Sequence, residues 1–151
     1  MTAATDNSVY IDAPRDVVWR LTNNVRTWPD LFTEYESVEV LHEENDTVRF
    51  RLTMKPDPDG SVWSWVSERT SAKDTWSVAA HRVETGPFVY MRIFWDYLEE
   101  NGGTRMRWRQ EFEAKPEAPF DNASITRRIN DNTKIQMAVI KQKVELAASG
   151  A

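Results

Sequence analysis

The chain contains no cysteine, only two histidines (His42 and His81) and five glycines among 151 residues. Without cysteine there is no disulfide framework, no thiolate metal site and no cysteine nucleophile. Two histidines make a multi-histidine metal centre implausible, and the acidic run Glu43-Glu44-Asn45-Asp46 reads as a solvated turn. Counting does not exclude carboxylate sites with oxygen ligands. A basic excess is also missing: 24 acidic residues outweigh 19 Lys and Arg, a formal net charge of −5. Nucleic-acid binding normally leaves the opposite footprint. No apolar run reaches the roughly 18 residues of a membrane helix, and Met1–Tyr10 has no basic segment leading into an apolar one. These exclusions leave a cytoplasmic protein whose length suits one domain, residues 1–151.

Aromatic side chains are abundant instead: seven Trp, four Tyr and six Phe. Such rings fill cores, and they also line pockets for flat or long organic ligands. Their positions must decide.

Val9-Tyr10-Ile11 reads as a short strand, and Pro14 opens a helix to about residue 23 on the face of Val17, Val18 and Leu21. A second short helix is expected over 27–32, with Thr27 as its N-cap. From Tyr35 the hydrophobic period is two. Strands are predicted over 36–43, 47–55, 61–70, 75–84, 88–99 and 104–115, joined by short segments rich in Gly, Pro, Asn and Asp. Such connections imply an antiparallel meander. After Pro116 and Pro119, Asp121 or Asn122 caps a long helix to about residue 148, with Ile125, Ile129, Gln136, Met137, Ile140 and Val144 inward. The predicted class is α+β: a seven-stranded, curved antiparallel sheet wrapped around a long C-terminal helix, with two short helices after the first strand.

Alternation places Trp63, Trp65, Ser67 and Arg69 on one strand face. Adjacent strands add Phe50-Leu52-Met54, Ile93-Trp95-Tyr97 and Met106-Trp108-Gln110-Phe112, with Arg82 nearby. A buried arginine must be paired or bound to something, because guanidinium keeps its proton. The pattern leaves two alternatives, a ligand cavity or a filled aromatic core with Arg69 reaching solvent. Trp28 and Phe32, four residues apart, face the mouth of any cavity, and Tyr35 either caps the core edge or acts there. His81 reads as a surface or supporting residue and His42 as exposed.

Several blocks carry a resemblance: the Ala13-Pro14 helix start, WPDLFTEYESVEVL (28–41), VWSWVSERT (62–70), AHRVETGPFVYM (80–91), MRWRQEF (106–112) and PFDNA (119–123). Together they resemble the aromatase/cyclases of bacterial type II polyketide synthesis, most closely the tetracenomycin-type and spore-pigment-type enzymes. The resemblance implies a helix-grip, Bet v 1/START-like fold. It also implies a cofactor-independent activity: first-ring closure, usually C9–C14, and aromatisation of a poly-β-ketone borne on an acyl carrier protein. Other type II polyketide synthase subunits would be further partners, while nucleic acid and membranes would not.

The resemblance gives Arg69 the central place, holding a ketone oxygen and stabilising an enolate or alkoxide. Tyr35 would be a proton donor or anchor whose pKa a nearby guanidinium lowers, and Ser67 would orient a carbonyl or water. Glu34, Arg82, Gln110 and Gln136 would make further polar contacts. Trp28, Phe32, Trp63, Trp65, Phe88, Met91, Trp95 and Trp108 would form walls. Position 136 departs from the tetracenomycin-type pattern, which has the shorter Asn. Arg127, Arg128 and Lys134 on the long helix would meet the acidic carrier.

Overall fold

The computed structural model describes residues 2–150. Strand β1 (Ala3–Ile11) leads into α1 (Arg15–Asn23), a 3-10 turn (Val25–Thr27) and the short α2 (Trp28–Leu31). Six strands follow: β2 (Tyr35–Glu44), β3 (Thr47–Met54), β4 (Ser64–Ala72), β5 (Ser77–Arg82), β6 (Phe88–Glu100) and β7 (Gly103–Ala114). Helix α3 (Asn122–Ser149) ends the chain. All seven strands form one antiparallel sheet in the order β1-β7-β6-β5-β4-β3-β2, so the meander is closed by the N-terminal strand pairing with β7.

Four local expectations are corrected. Strand β1 begins six residues earlier than its apolar triplet suggests: Ala3 to Ser8 are small or polar without alternation and become a strand by pairing with Arg107 to Phe112. Thr27 caps nothing, since its hydroxyl donates to the Asn24 carbonyl at 2.7 Å. β4 starts only at Ser64, after a loop tied by the Trp63 indole N–H to Asp57 at 2.8 Å. β5 is shorter than 75–84 because Lys73–Thr75 form a 3-10 turn and Trp76 adopts a left-handed φ of 51°.

Elsewhere local chemistry suffices. Asn101 and Gly102, with φ of 50° and 80°, form the two-residue link between β6 and β7, the conformation that favours Asn-Gly in hairpins. Gly103 has no substitute there, since a Cβ would sit 2.6 Å from the Ile11 carbonyl oxygen. At the start of α3 the Asp121 carboxylate accepts from the Ser124 amide at 2.8 Å.

The two sheet faces differ sharply. On β7, Arg105, Arg107 and Arg109 point out and pair with Glu100, Asp6 and Asp96, while Arg49–Glu68 and Arg51–Glu84 do the same on β3. These part-exposed pairs add little stability each, about 0–1 kcal/mol. The inner face holds the rings. Ile125, Thr133, Gln136, Met137, Ile140 and Val144 of α3 are buried against it, and α3 makes its closest backbone approach along β1. Over the other strands the space between helix and sheet is spanned by long side chains rather than by backbone.

Candidate active site

Arg69 lies at the centre of β4 with 3% of its surface exposed. Strand register sets it opposite Ala80 of β5, whose small side chain leaves room for the guanidinium. The guanidinium carbon sits 4.2 Å from the centroid of Trp95 and 5.1 Å from that of Trp28. Nη2 donates to the Asn23 Oδ1 at 2.5 Å, and Nε has no partner among the described residues. No carboxylate among the described residues pairs with it. Burial lowers its pKa to about 10, opposed by the Tyr97 and Tyr35 hydroxyls. It therefore remains a cation at neutral pH, held by ring quadrupoles and amide oxygen rather than by a counter-ion.

A hydrogen-bonded chain fixes this arrangement. Asn23 donates from Nδ2 to the Tyr97 hydroxyl at 3.0 Å, Tyr97 and Thr22 share a 2.6 Å bond, and Thr22 donates to the Val18 carbonyl at 2.7 Å. Asn23, Thr22 and Tyr97 were invisible to sequence reasoning as partners of Arg69. Tyr97 shares the inward parity of Trp95, which was the one available signal. Asn23 lies 46 positions from Arg69 with no motif linking them.

Arg82 forms a second cationic centre. Its guanidinium carbon lies 4.1 Å from the Trp65 ring and 4.9 Å from that of Phe88. Burial lowers its pKa to about 10 as well, countered by Tyr35. Register places Ser67, which is buried, between Phe50 and Arg82. Arg69, Ser67, Arg82 and Tyr35 thus converge.

Tyr35 departs from the expectation for its acidity. Its pKa is raised well above the ordinary value, first by burial and then by the neighbouring Glu34 carboxylate, and the two arginines offset this only in part. At neutral pH it is a protonated phenol able to donate. Glu34 itself is raised by burial, with Asn132 donating to its Oε2 at 2.5 Å. Because the folded state holds that proton longer than the unfolded chain, stability is lost as pH rises through the window above the usual glutamate value. Glu34→Gln, which keeps the acceptor for Asn132, should melt progressively higher relative to the parent as pH goes from about 4 to about 7. A melting difference independent of pH would contradict this account of Glu34.

The remaining candidates separate. Trp28 is not at a mouth: it is buried, stacked near Trp95 and Tyr35 at 5.8 and 6.1 Å, with its indole N–H on the Thr22 carbonyl at 3.1 Å. Phe32 packs on Tyr35 and Trp108. Trp95 and Trp108 stack at 4.3 Å. Trp63, 38% exposed and outside β4, is a rim residue rather than a wall. Met91 and Phe88 belong to a separate cluster with Phe112 and Ile125, and of the two Phe88 touches the site through Arg82. Gln136 is committed at both ends of its amide, donating to the Thr33 hydroxyl at 2.8 Å and accepting from the Thr33 amide at 3.0 Å. It fastens the loop before β2 onto α3, so its pattern-based placement as a substrate contact is not what the geometry provides. Gln110 is half-buried on β7, opposite Thr5. His42 and His81 are exposed.

Of the two alternatives left by the pattern, an open cavity or a filled core, the structure takes the second around Trp28, Phe32, Trp95 and Trp108, whose rings close on one another. Arg69 does not reach solvent, however. Two surface concavities lie away from these residues, one on the outer sheet face by Thr70 and Arg109, the other beside the start of α3.

A seven-stranded antiparallel sheet wrapped around one long helix, its aromatic interior enclosing the Arg69 guanidinium, defines the class, a START-like helix-grip fold. Solved structures share it. The Zhui aromatase/cyclase of Streptomyces sp. R1128 superposes with a TM-score of 0.84 at 19% identity, covering 96% of this chain and 94% of that one. A START superfamily protein of Mycobacterium smegmatis gives 0.76 at 13%, covering 95% and 98%. Residues 11–134 match the family described as polyketide cyclase/dehydrase and lipid transport. A Streptomyces cyaneus protein whose name assigns it provisionally as a polyketide cyclase is 54% identical over 145 residues, 96% of this chain and 95% of its own length. The chain belongs to the polyketide cyclase family.

Proposed function

We propose that this protein is a cofactor-independent aromatase/cyclase that directs first-ring, C9–C14-type aldol closure and dehydration of a carrier-bound poly-β-ketone. The observation that carries this reading is Arg69, a buried cation with no counter-ion among the described residues, beside a protonated phenol. A non-catalytic carrier of an apolar ligand gains nothing from a charge whose burial costs stability. A catalyst does, because the donors are in place where negative charge develops.

In the ring closure a methylene loses a proton to water, the resulting enolate carbon bonds to a carbonyl carbon, and that carbonyl oxygen becomes an alkoxide. Arg69 stabilises the enolate or the alkoxide through its fork of N–H donors. Tyr35 donates its proton to the alkoxide, and Arg82 and Ser67 hold neighbouring oxygens. Loss of water from the resulting alcohol, with enolisation of the remaining ring ketones, gives the aromatic ring. The walls formed by Trp28, Phe32, Trp65, Trp95 and Trp108 favour one folded conformer over the many that a poly-β-ketone adopts. For the chain to reach Arg69 these rings must part. We also assign the carrier protein and other polyketide synthase subunits as partners, with the exposed Arg127, Arg128 and Lys134 on one helix as docking cations for the acidic carrier.

A minimal polyketide synthase supplies the test. With this protein present the product mixture should shift to one C9–C14-type compound, and Tyr35→Phe should lose most of that shift while remaining folded. An unchanged mixture from a folded protein would favour a carrier of aromatic ligands.

A further inference from the structure

We infer that the interior holds a second oxygen-binding station, built from the Thr5 hydroxyl on β1 and the Trp108 indole N–H on β7. This deepens the reading above by asking where a second oxygen of the ligand is bound, and it rests on that reading only in assuming that an oxygenated ligand enters. Thr5 and Trp108 are 6% and 4% exposed. Their Oγ1 and Nε1 atoms are buried without a hydrogen-bond partner among the described residues. A polar atom in that position costs stability unless something pairs with it. Valine would fill the space of Thr5 without the cost.

Position supports a common purpose. Thr5 pairs with Gln110 and Asn7 pairs with Trp108, so Thr5 and Trp108 are diagonal neighbours on the inner face, roughly 7–8 Å apart. The half-buried Gln110 lies between them. Asn7, the next inward residue of β1, spends its amide on Asn130 of α3 at 2.9 Å. The Trp108 ring stacks on Trp95 at 4.3 Å and on Phe32 at 5.9 Å, leaving the N–H edge as its polar contribution. Trp95 in turn is the ring beneath the Arg69 guanidinium. One indole therefore separates the two stations: the guanidinium lies 4.2 Å from the Trp95 ring and that ring 4.3 Å from the Trp108 ring, a span suited to oxygens at opposite ends of a fused bicyclic ring rather than on neighbouring alternate carbons. An indole N–H only donates, so the group it meets must be an oxygen acceptor: a carbonyl, phenol or phenolate. Thr5 can donate or accept beside it.

Calorimetric binding of naphthalene-2,6-diol and 2-naphthol tests the inference without turnover. The parent should bind the diol about tenfold more tightly, and Thr5→Val should cut this preference to about threefold or less while leaving 2-naphthol unchanged. In the folded parent, the indole N–H resonance assigned to Trp108 should move downfield with the diol and stay in place with 2-naphthol. That spectrum decides the matter even if the variant fails to fold. The inference is overturned if the parent shows no preference, if the preference survives Thr5→Val, or if the Trp108 signal ignores the second oxygen. Failure of the cyclase reaction with the diol preference intact would instead reject the catalytic reading and leave the station standing.

Discussion

Arg69→Ala should lower formation of the regiospecific product by about 10²–10³-fold, the loss seen when one charge-stabilising donor set is removed from a dry site. The informative companion is Arg69→Met, which keeps much of the volume and the ring contacts but carries no charge. A guanidinium without a counter-ion is expensive to bury, and Trp28 and Trp95 return only part of that cost, about 2 kcal/mol per well-desolvated cation–π contact. Arg69→Met should therefore melt at or above the parent temperature while being as inactive as Arg69→Ala. Product analysis and thermal melts on the same preparations check both halves. If Arg69→Met melts well below the parent, Arg69 is a structural residue and the catalytic argument loses its foundation. Such a trade between stability and activity is usual at active sites.

Trp28→Ala should be the most destabilising single substitution in the site, costing about 3–5 kcal/mol by urea unfolding. Trp28 touches Phe32, Tyr35, Phe50 and Trp95, and the Arg69 guanidinium lies against its ring. Its N–H also satisfies the Thr22 carbonyl. Trp28→Phe should cost clearly less, since most of the packing survives and one hydrogen bond is lost, about 1 kcal/mol. Equal costs for the two variants would mean that the indole N–H, not the packing, holds this corner together. Because α2 carries Trp28 and the chain after it carries Glu34 and then Tyr35 at the start of β2, the Ala variant should also loosen Tyr35 and blur product regiochemistry.

Both expectations turn on residues found by different routes. Arg69, Trp65, Ser67, Trp95 and Trp108 were legible because a strand alternates with a period of two, and parity alone assigns a face. The long helix and its stripe were legible from a period near 3.6 and from the acidic cap at Asp121. Trp63 was misplaced because parity says nothing about where a side chain is anchored: its carbonyl still accepts from the Met54 amide at 2.9 Å, but Asp57 holds its indole outside β4. Gln136 was misread because an inward face says nothing about which neighbour satisfies an amide, and Thr33 lies 103 residues away.

The acidity of Tyr35 was misjudged for a related reason. A nearby cation lowers a phenol's pKa, but burial and the Glu34 carboxylate outweigh it, and neither magnitude exists before the chain folds. The first six residues of β1 show the same limit. Ala3 to Ser8 have no intrinsic strand signal, yet β7 offers a row of free backbone groups that recruits them. Thr5 became part of the interior only through that pairing.

What the sequence by itself determined is the class of architecture, the face of each strand and the presence of an obligate cation among aromatic residues, because these follow from periodicity and from side-chain chemistry. The tertiary structure decided which polar groups were spent on one another and which were left unpaired. Asn23 and Tyr97 hold Arg69, Thr33 absorbs Gln136, and the Thr5 hydroxyl and Trp108 indole N–H remain without partners among the described residues, since hydrogen bonds are settled by distances between segments that only folding brings together.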